Sequence, residues 1–481
     1  MKYRSERNSM RALTCGLTAL AALVSAGSAW SRDESAPRWL AGDHHVHSRF
    51  SATYAPDPAN PGAVPAPTLG GDGPHTIVQN AGMAARFGLD WMVSTDHGGP
   101  RHSELNARLA YPELLDARAR TPELILFYGL ELDTPGSEHS SLIIPVHDGE
   151  REMLRRIEST WSSREPWPVD TSADTRTAML DMLRSLDVYT PRPVIIANHP
   201  SRSAEGFGVW GEHDAASLRD WHDAAPRVAI GMEGAPGHQA TSLKPEGERG
   251  IYRRYPTMGG FDQMTATLGG LWDAMLGEGR RWWITATSDS HRHPSEGGDD
   301  FWPGEYSKTW VMARPDPDAI LEGLRSGRVF VATGDLVTEM EITVGSGGAS
   351  AGMGEVLDVP QGSDIVVTVR LRDPAAPNAA GRFPEVKRID LIVGDVAGPA
   401  GDRTIDSNPT TRVEARFTDA DWTREGEVLT VRHRISAVDR PLYLRVRATA
   451  GSELEPAADA AGEDPWSDLW AYGNPVFVSL R

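Results

Sequence analysis

Cysteine is almost missing: the 481 residues contain one, Cys15, and it lies inside an apolar stretch near the N-terminus. Lys2, Arg4, Arg7 and Arg11 precede that stretch, residues 12–26, which is too short to cross a bilayer comfortably, and Gly27-Ser28-Ala29 offers small residues for cleavage. Residues 1–29 therefore read as a secretory signal and 30–37 as a linker, so export to the periplasm or the medium is expected. Leu13-Thr14 before Cys15 lacks the small residue that lipid attachment would want. The mature chain then has no thiol, which excludes disulfides, cysteine–zinc sites and thiol catalysis. Only His, Asp and Glu remain for metal chemistry.

Basic charge is also short. Lys and Arg number 48 against 67 Asp and Glu, a formal net charge of -19, which argues against nucleic acid and anionic membranes as partners. No later run is long and apolar enough to span a membrane, so no stable membrane anchor is expected.

What is present is a repeating arrangement. A chain about three times the usual ~150 residues per domain has room for two or three domains. From residue 37 onward, strand-like apolar runs alternate with helical segments. The runs deliver polar residues of metal-binding type, His45-Val46-His47, Asp96-His97, Glu131, His199, Glu233 and Asp289-Ser290-His291 at or near their ends, while His139 opens the run 140–146. In an extended strand His45 and His47 share a face with Asp43, while His44 points away and reads as structural. A helix is expected over 74–87, stopped by Gly88, and the Pro- and Gly-rich stretch 54–72 reads as a loop edging a site. Polar residues gathered at the C-terminal ends of buried strands are what a (β/α) barrel uses to assemble an active site.

In order and spacing, His45-x-His47, Asp96-His97, Glu131, His139, His199-Pro200 and Asp289-x-His291 resemble the polymerase and histidinol phosphatase (PHP) superfamily, over roughly residues 38–334. The resemblance implies a distorted (β/α)7 TIM-like barrel, within an α/β fold class, holding two or three divalent ions. It implies that His45, His47, Glu131 and Asp289 hold one metal, and that Glu131 bridges to a second held by His139 and His199. His97 and His291 would hold a third. Its remaining ligand usually follows the His-x-His motif closely; here Asp72 beyond the insertion is the candidate and His75 the substitute. The segments Gly231-Met232-Glu233-Gly234, 272–279, 319–334 and 472–478 resemble the exported, carbaryl-hydrolase-like branch.

Glu131, Asp289 and His291 are the expected catalytic centre. Two metals bridged by a carboxylate can hold a hydroxide at neutral pH and polarise a bound ester, and carboxylate–imidazole ligands accept Zn, Mn or Fe. The expected activity is hydrolysis of an organic phosphate ester, mono- or diester. A carbamate, amide or carboxylic ester hydrolase is the alternative, and a non-catalytic binding barrel is a third reading. The expected partner is a small-molecule ester; the sequence sets no oligomeric state.

Asp43 and Asp96, beside ligands, are candidates to orient imidazoles, with capping or turn roles as the alternative. Arg101, Arg202 and Arg292 each closely follow a metal motif and are candidates to grip phosphate oxygens, with ordinary surface positions as the alternative. Trp282, Trp283, Trp302 and Trp310 could wall an aromatic leaving group, although core packing competes. After Gly334, alternating apolar runs between turn-rich segments fit a β-sandwich over 335–481 without a metal-type cluster.

Overall fold

The computed structural model describes residues 36–238, 252, 254–292 and 300–481. The expected signal segment and most of the linker lie outside the described residues. The apolar runs become strands β1 (Arg38–Asp43), β2 (Trp91–Ser94), β3 (Ile125–Leu132), β4 (Ser140–Ile144), β5 (Val194–Ala197), β6 (Ala229–Ala235) and β7 (Trp283–Ala286), nearly all of whose residues are buried. Continuous burial without alternation is the pattern of strands covered on both faces.

These strands lie side by side in sequence order. Neighbours are parallel except around β4, which runs antiparallel to both β3 and β5. Beyond β1 and β7, Val46 and Ser290 form a parallel bridge, and the His47 N–H donates to the Ser290 carbonyl at 3.0 Å. The first and last strands of the row therefore meet at their C-terminal ends.

Helices connect the strands. α1 (Ile77–Arg86) begins at Thr76, whose side chain and Gln79 form a reciprocal cap, and Gly88 takes a left-handed backbone just after its end. It is shorter than the expected 74–87 because Thr76 fixes the start. α2 (Tyr111–Arg120), α3 (Glu150–Trp161), α4 (Arg176–Asp187), α5 (Ala215–Ala224), α6 (Leu271–Gly277) and α7 (Pro317–Ser326) follow. On α4 the buried residues are Met179, Met182, Leu183 and Leu186, one face of a helix at 3.6-residue period.

β8 (Ser307–Ala313) pairs antiparallel with the other edge of β1, and β9 (Val329–Thr333) with β8. The C-terminal third adds β10 (Glu339–Ser346), β11 (Ser363–Arg372), β12 (Arg388–Asp395), β13 (Val428–Val438), β14 (Leu442–Thr449), β15 (Trp470–Gly473) and β16 (Val476–Leu480). β10, β11 and β13 belong to a separate sheet, whereas β15 pairs with β9 and carries β14, β12 and β16 into the main sheet. Hydrogen bonding thus runs straight across residue 334, where a domain boundary was expected, and Ser35–Arg481 forms one compact unit. Ile342, Val367 and Val369 from the separate sheet share a core with Leu391, Leu444 and Val446 from the main one. The fold is mixed α/β with a large, mostly sheet body.

A buried ion pair ties the C-terminal strands to the helical part. Asp273 on α6 accepts from Arg445 on β14 at 2.8 and 2.7 Å and from the Tyr443 hydroxyl at 2.9 Å. The Arg445 guanidinium stands over the Trp272 ring.

Candidate metal centre

Strand direction gathers the donors. His45 and His47 follow β1, His97 follows β2, Glu131 is near the end of β3, His199 follows β5, and Asp289 and His291 follow β7. His139 precedes β4 instead, and because β4 is reversed, its start lies at the same end of the row as the other strands' ends.

Among the described residues three adjoining donor clusters form, each with its candidate ligand atoms within 4.8 Å of one another: His45, His47 and Asp289; Glu131, His139 and His199; and His47, Asp72, His97 and His291. They contain all nine residues expected as ligands. Glu131 stands between them. Its Oε1 lies 3.2 Å from His45 Nε2, 3.0 Å from His139 Nδ1 and 3.1 Å from His199 Nε2, while its Oε2 lies 3.5 Å from His47 Nε2. Asp289 Oδ1 is 3.1 Å from His45 Nε2 and 3.2 Å from His47 Nε2.

The donor set fits cations. His45 gives its Nδ1 to Glu233 at 2.8 Å and His47 its Nδ1 to Ser51 Oγ at 2.8 Å, so both Nε2 atoms, 3.0 Å apart, face inward among carboxylates. Two imidazole nitrogens facing each other across carboxylate oxygens call for a shared positive charge. Burial pushes the Glu131 carboxyl up, but His139 and His45 outweigh it and hold it well below the usual range. Conversely, burial pushes His139 down, while Glu131 and Asp133 carry it up to about 10. A metal bound at these imidazoles would take the place of protons, so its affinity should rise with pH as the histidines deprotonate.

Glu233 is the functional residue that the sequence placed at a strand end without giving it a role. Besides His45 it accepts the His199 backbone N–H at 2.5 Å and the Thr287 hydroxyl at 3.0 Å. One carboxylate therefore sets one ligand's ring and another ligand's backbone. Glu233→Gln is expected to weaken metal affinity by ~10–100-fold, the usual cost of losing such a partner; titration with a competing chelator measures it.

Asp96 acts on His47 through Ser51, whose hydroxyl it accepts at 2.8 Å. Asp43 holds no imidazole among the described residues. It accepts the backbone N–H groups of His45 and Ser288 at 3.1 and 3.0 Å, joining the two ligand-bearing turns. His44 turns away to Thr285 Oγ1, 2.8 Å distant.

Two of the candidate ligands sit on strained backbone: His199 has φ 27° and Asp289 φ 47°, a conformation costing ~1–3 kcal/mol outside glycine and retained where surroundings enforce it. The 54–72 loop is closed by a short ribbon pairing Thr53 with Thr68 and Tyr54 with Pro67, which returns Asp72 to the site. Gly71 permits this return, since a Cβ there would lie 2.6 Å from the Thr53 side chain. Asp72 Oδ2 is 2.9 Å from His97 Nε2 and 3.4 Å from His291 Nε2. His75 packs on Trp302 instead and faces the Arg292 carbonyl.

A cavity of about 780 Å³ opens beside His97 and His139, lined by Tyr54, Trp167, Val169, Glu138, Arg164 and Arg202 among others. Of the three arginines singled out by sequence, only Arg202 lines it, and it is paired with Glu138. Arg292 is tied to the Gly71 carbonyl, steadying the loop that carries Asp72. Arg101 is an exposed helix N-cap with φ 59° and does not line the cavity. Arg164, which sequence reasoning missed, does line it, 3.1 Å from Asp133 Oδ1. The tryptophans near the last motif pack, as one of the two readings had it, and do not wall the site. Trp282 and Trp283 are core residues, Trp310 stacks on Phe330, and Trp302 packs on His75. Trp167 and Tyr54 supply the aromatic wall.

No described helix is long and apolar enough to cross a membrane. No protein-family profile and no curated protein matches the chain. Among solved structures, PsfC from Pseudomonas syringae PB-5123 aligns over 61% of this chain and 90% of its own, with 14% identity and a TM-score of 0.31, a likeness too slight to bear on fold or function.

Proposed function

We propose that the chain is an exported, metal-dependent hydrolase of the PHP type, acting on an organic phosphate ester. In this reading β1 to β7 close as a distorted (β/α)7 barrel, the C-terminal sheets form a β-sandwich, and the donor clusters hold two or three divalent ions of Zn, Mn or Fe. The observation that carries it is the convergence of nine donors around Glu131 at one end of the strand row. Divalent ions held there would supply an acidified water and Lewis acidity toward the ester. The chain's own residues do the rest. Glu233 and Ser51 fix the His45 and His47 rings, Glu131 spans the clusters, and Trp167, Tyr54 and Val169 offer a surface for the leaving group.

A specific observation favours carbamate or carboxylic ester hydrolysis as the second reading. Both arginines in the cavity are already paired, Arg202 with Glu138 and Arg164 with Asp133, a lining that suits an uncharged ester. Arg202→Ala separates the two. If Arg202 turns from Glu138 to a phosphate, its loss should raise KM about tenfold or more, as for a hydrogen bond to a charged group; an unchanged KM removes it from substrate binding. The reaction class is tested by initial rates of the metal-loaded protein on an aryl phosphomonoester, an aryl phosphodiester and an aryl methylcarbamate. Phosphate ester turnover that a chelator abolishes supports the proposal, and carbamate turnover with inert phosphates replaces it by the second reading.

A further inference from the structure

We propose that a second cavity, at the opposite end of the strand row from the metal donors, is a binding site for a phosphate-type oxyanion. The cavity, about 380 Å³, is lined by Arg227, Arg281, Arg325, His222, Glu322 and Ser326, with Pro226 and Gly279. Arg227 and Arg281 each lie two residues before a strand, β6 and β7, so they mark the N-terminal ends of parallel strands whose C-terminal ends carry Glu233 and Asp289. A ligand here would not compete with substrate for space.

The lining departs from the rest of this acidic chain: three guanidinium groups face one carboxylate, in a protein of net charge -19. Glu322 Oε2 serves two of them, 3.2 Å from Arg227 Nη2 and 3.9 Å from Arg325 Nη1. Arg325 is largely buried and is held in place by backbone carbonyls, its Nε donating to Arg227 O at 3.2 Å and its Nη2 to Arg192 O at 2.5 Å. These neutral partners fix the guanidinium without cancelling its charge. Arg281 is anchored in the same way, its Nη1 donating to the Gly354 carbonyl at 3.0 Å. Burial, with the charges of Arg227 and Arg192 adding to it, pushes Arg325 down to about 10, against the pull of Glu322. His222 is pushed down to about 4 by burial and the Arg280 charge, so it contributes no cation at neutral pH.

Opposing charge comes from Glu322, from Asp318 and from the C-terminal ends of α5 and α7, each end worth about half a negative charge, while Arg192 adds to the positive side. About one positive charge is left over. Guanidinium forks match the oxygen spacing of phosphate and bind it bidentately, which is why an oxyanion of that shape is the ligand chemistry assigned. The segment that supplies Glu322, Arg325 and Ser326 is part of 319–334, a motif that the metal centre does not use.

The test is calorimetric titration of inorganic phosphate into the metal-loaded chain, alongside Arg281→Gln and Arg227→Gln. Both side chains are exposed, so neither change threatens the fold. The expected result is a phosphate site that each variant weakens at least tenfold, with ester turnover unchanged. Phosphate bound by both variants with wild-type stoichiometry and affinity would place all of it at the metals and overturn the inference. So would the absence of any phosphate binding to the wild-type chain.

Discussion

Asp289→Asn is expected to abolish ester hydrolysis and to leave the folded protein with fewer bound metal ions. Loss of a partner that merely orients a ligand costs ~10–100-fold in metal affinity; on the proposed reading Asp289 is itself a donor, so the loss should exceed ~100-fold. Its carboxylate faces His45, His47 and His291 at 3.1, 3.2 and 3.4 Å. Burial raises its pKa, but His45 and His291 overcome that and hold it ionised. An amide keeps the shape without the charge. Asn also tolerates the left-handed backbone at this position, φ 47°, better than Ala. Comparing Asn with Ala therefore separates loss of a ligand from backbone strain. Metal analysis and circular dichroism on the same samples check it; an Asn variant with the wild-type rate and metal content would remove Asp289 from the site.

The largest expected effect on stability lies far from the metals. Asp273→Ala leaves Arg445 and the Tyr443 hydroxyl without their carboxylate in a fully buried setting. Breaking a buried pair from one side costs ~3–5 kcal/mol because a charge is left stranded, whereas replacing both members by apolar residues of similar size is often neutral. Denaturant unfolding should therefore show Asp273→Ala much less stable and the double change Asp273→Leu with Arg445→Met largely restored. Because Asp273 joins α6 to β14, a drop confined to one of two separate transitions would mean that the C-terminal strands unfold independently of the rest.

The clustering of the candidate donors was legible in the sequence for a physical reason. A ligand must leave a rigid strand at a fixed point, so His45, His97, Glu131, His199 and Asp289 each mark the end of an apolar run. Asp72 was reached only through the family resemblance, as an Asp-Gly pair displaced beyond the insertion. The roles of the donors' supports were not legible, since a carboxylate such as Glu233 at a strand end reads equally as donor or as partner. The reversal of β4 left no trace either, because antiparallel pairing does not change the local pattern of a buried strand. Proximity in sequence misled where the backbone turns away: Arg101 follows His97 yet does not line the cavity, and Arg292 follows His291 yet binds the Gly71 carbonyl. Trp282 and Trp283 sit close to the last motif, but they precede and begin a buried strand and so belong to the core. Asp273 and Arg445, 172 residues apart, carry no local signal at all. The pairing of β9 with β15 likewise joins strands far apart in the chain and has no local signal.

Anomalous scattering from crystals grown with manganese measures the central claim most directly. The account predicts peaks between His45, His47, Asp289 and Glu131 and between Glu131, His139 and His199, with a third beside Asp72, His97 and His291 when all sites fill. Crystals with no peak at either of the first two positions would contradict it.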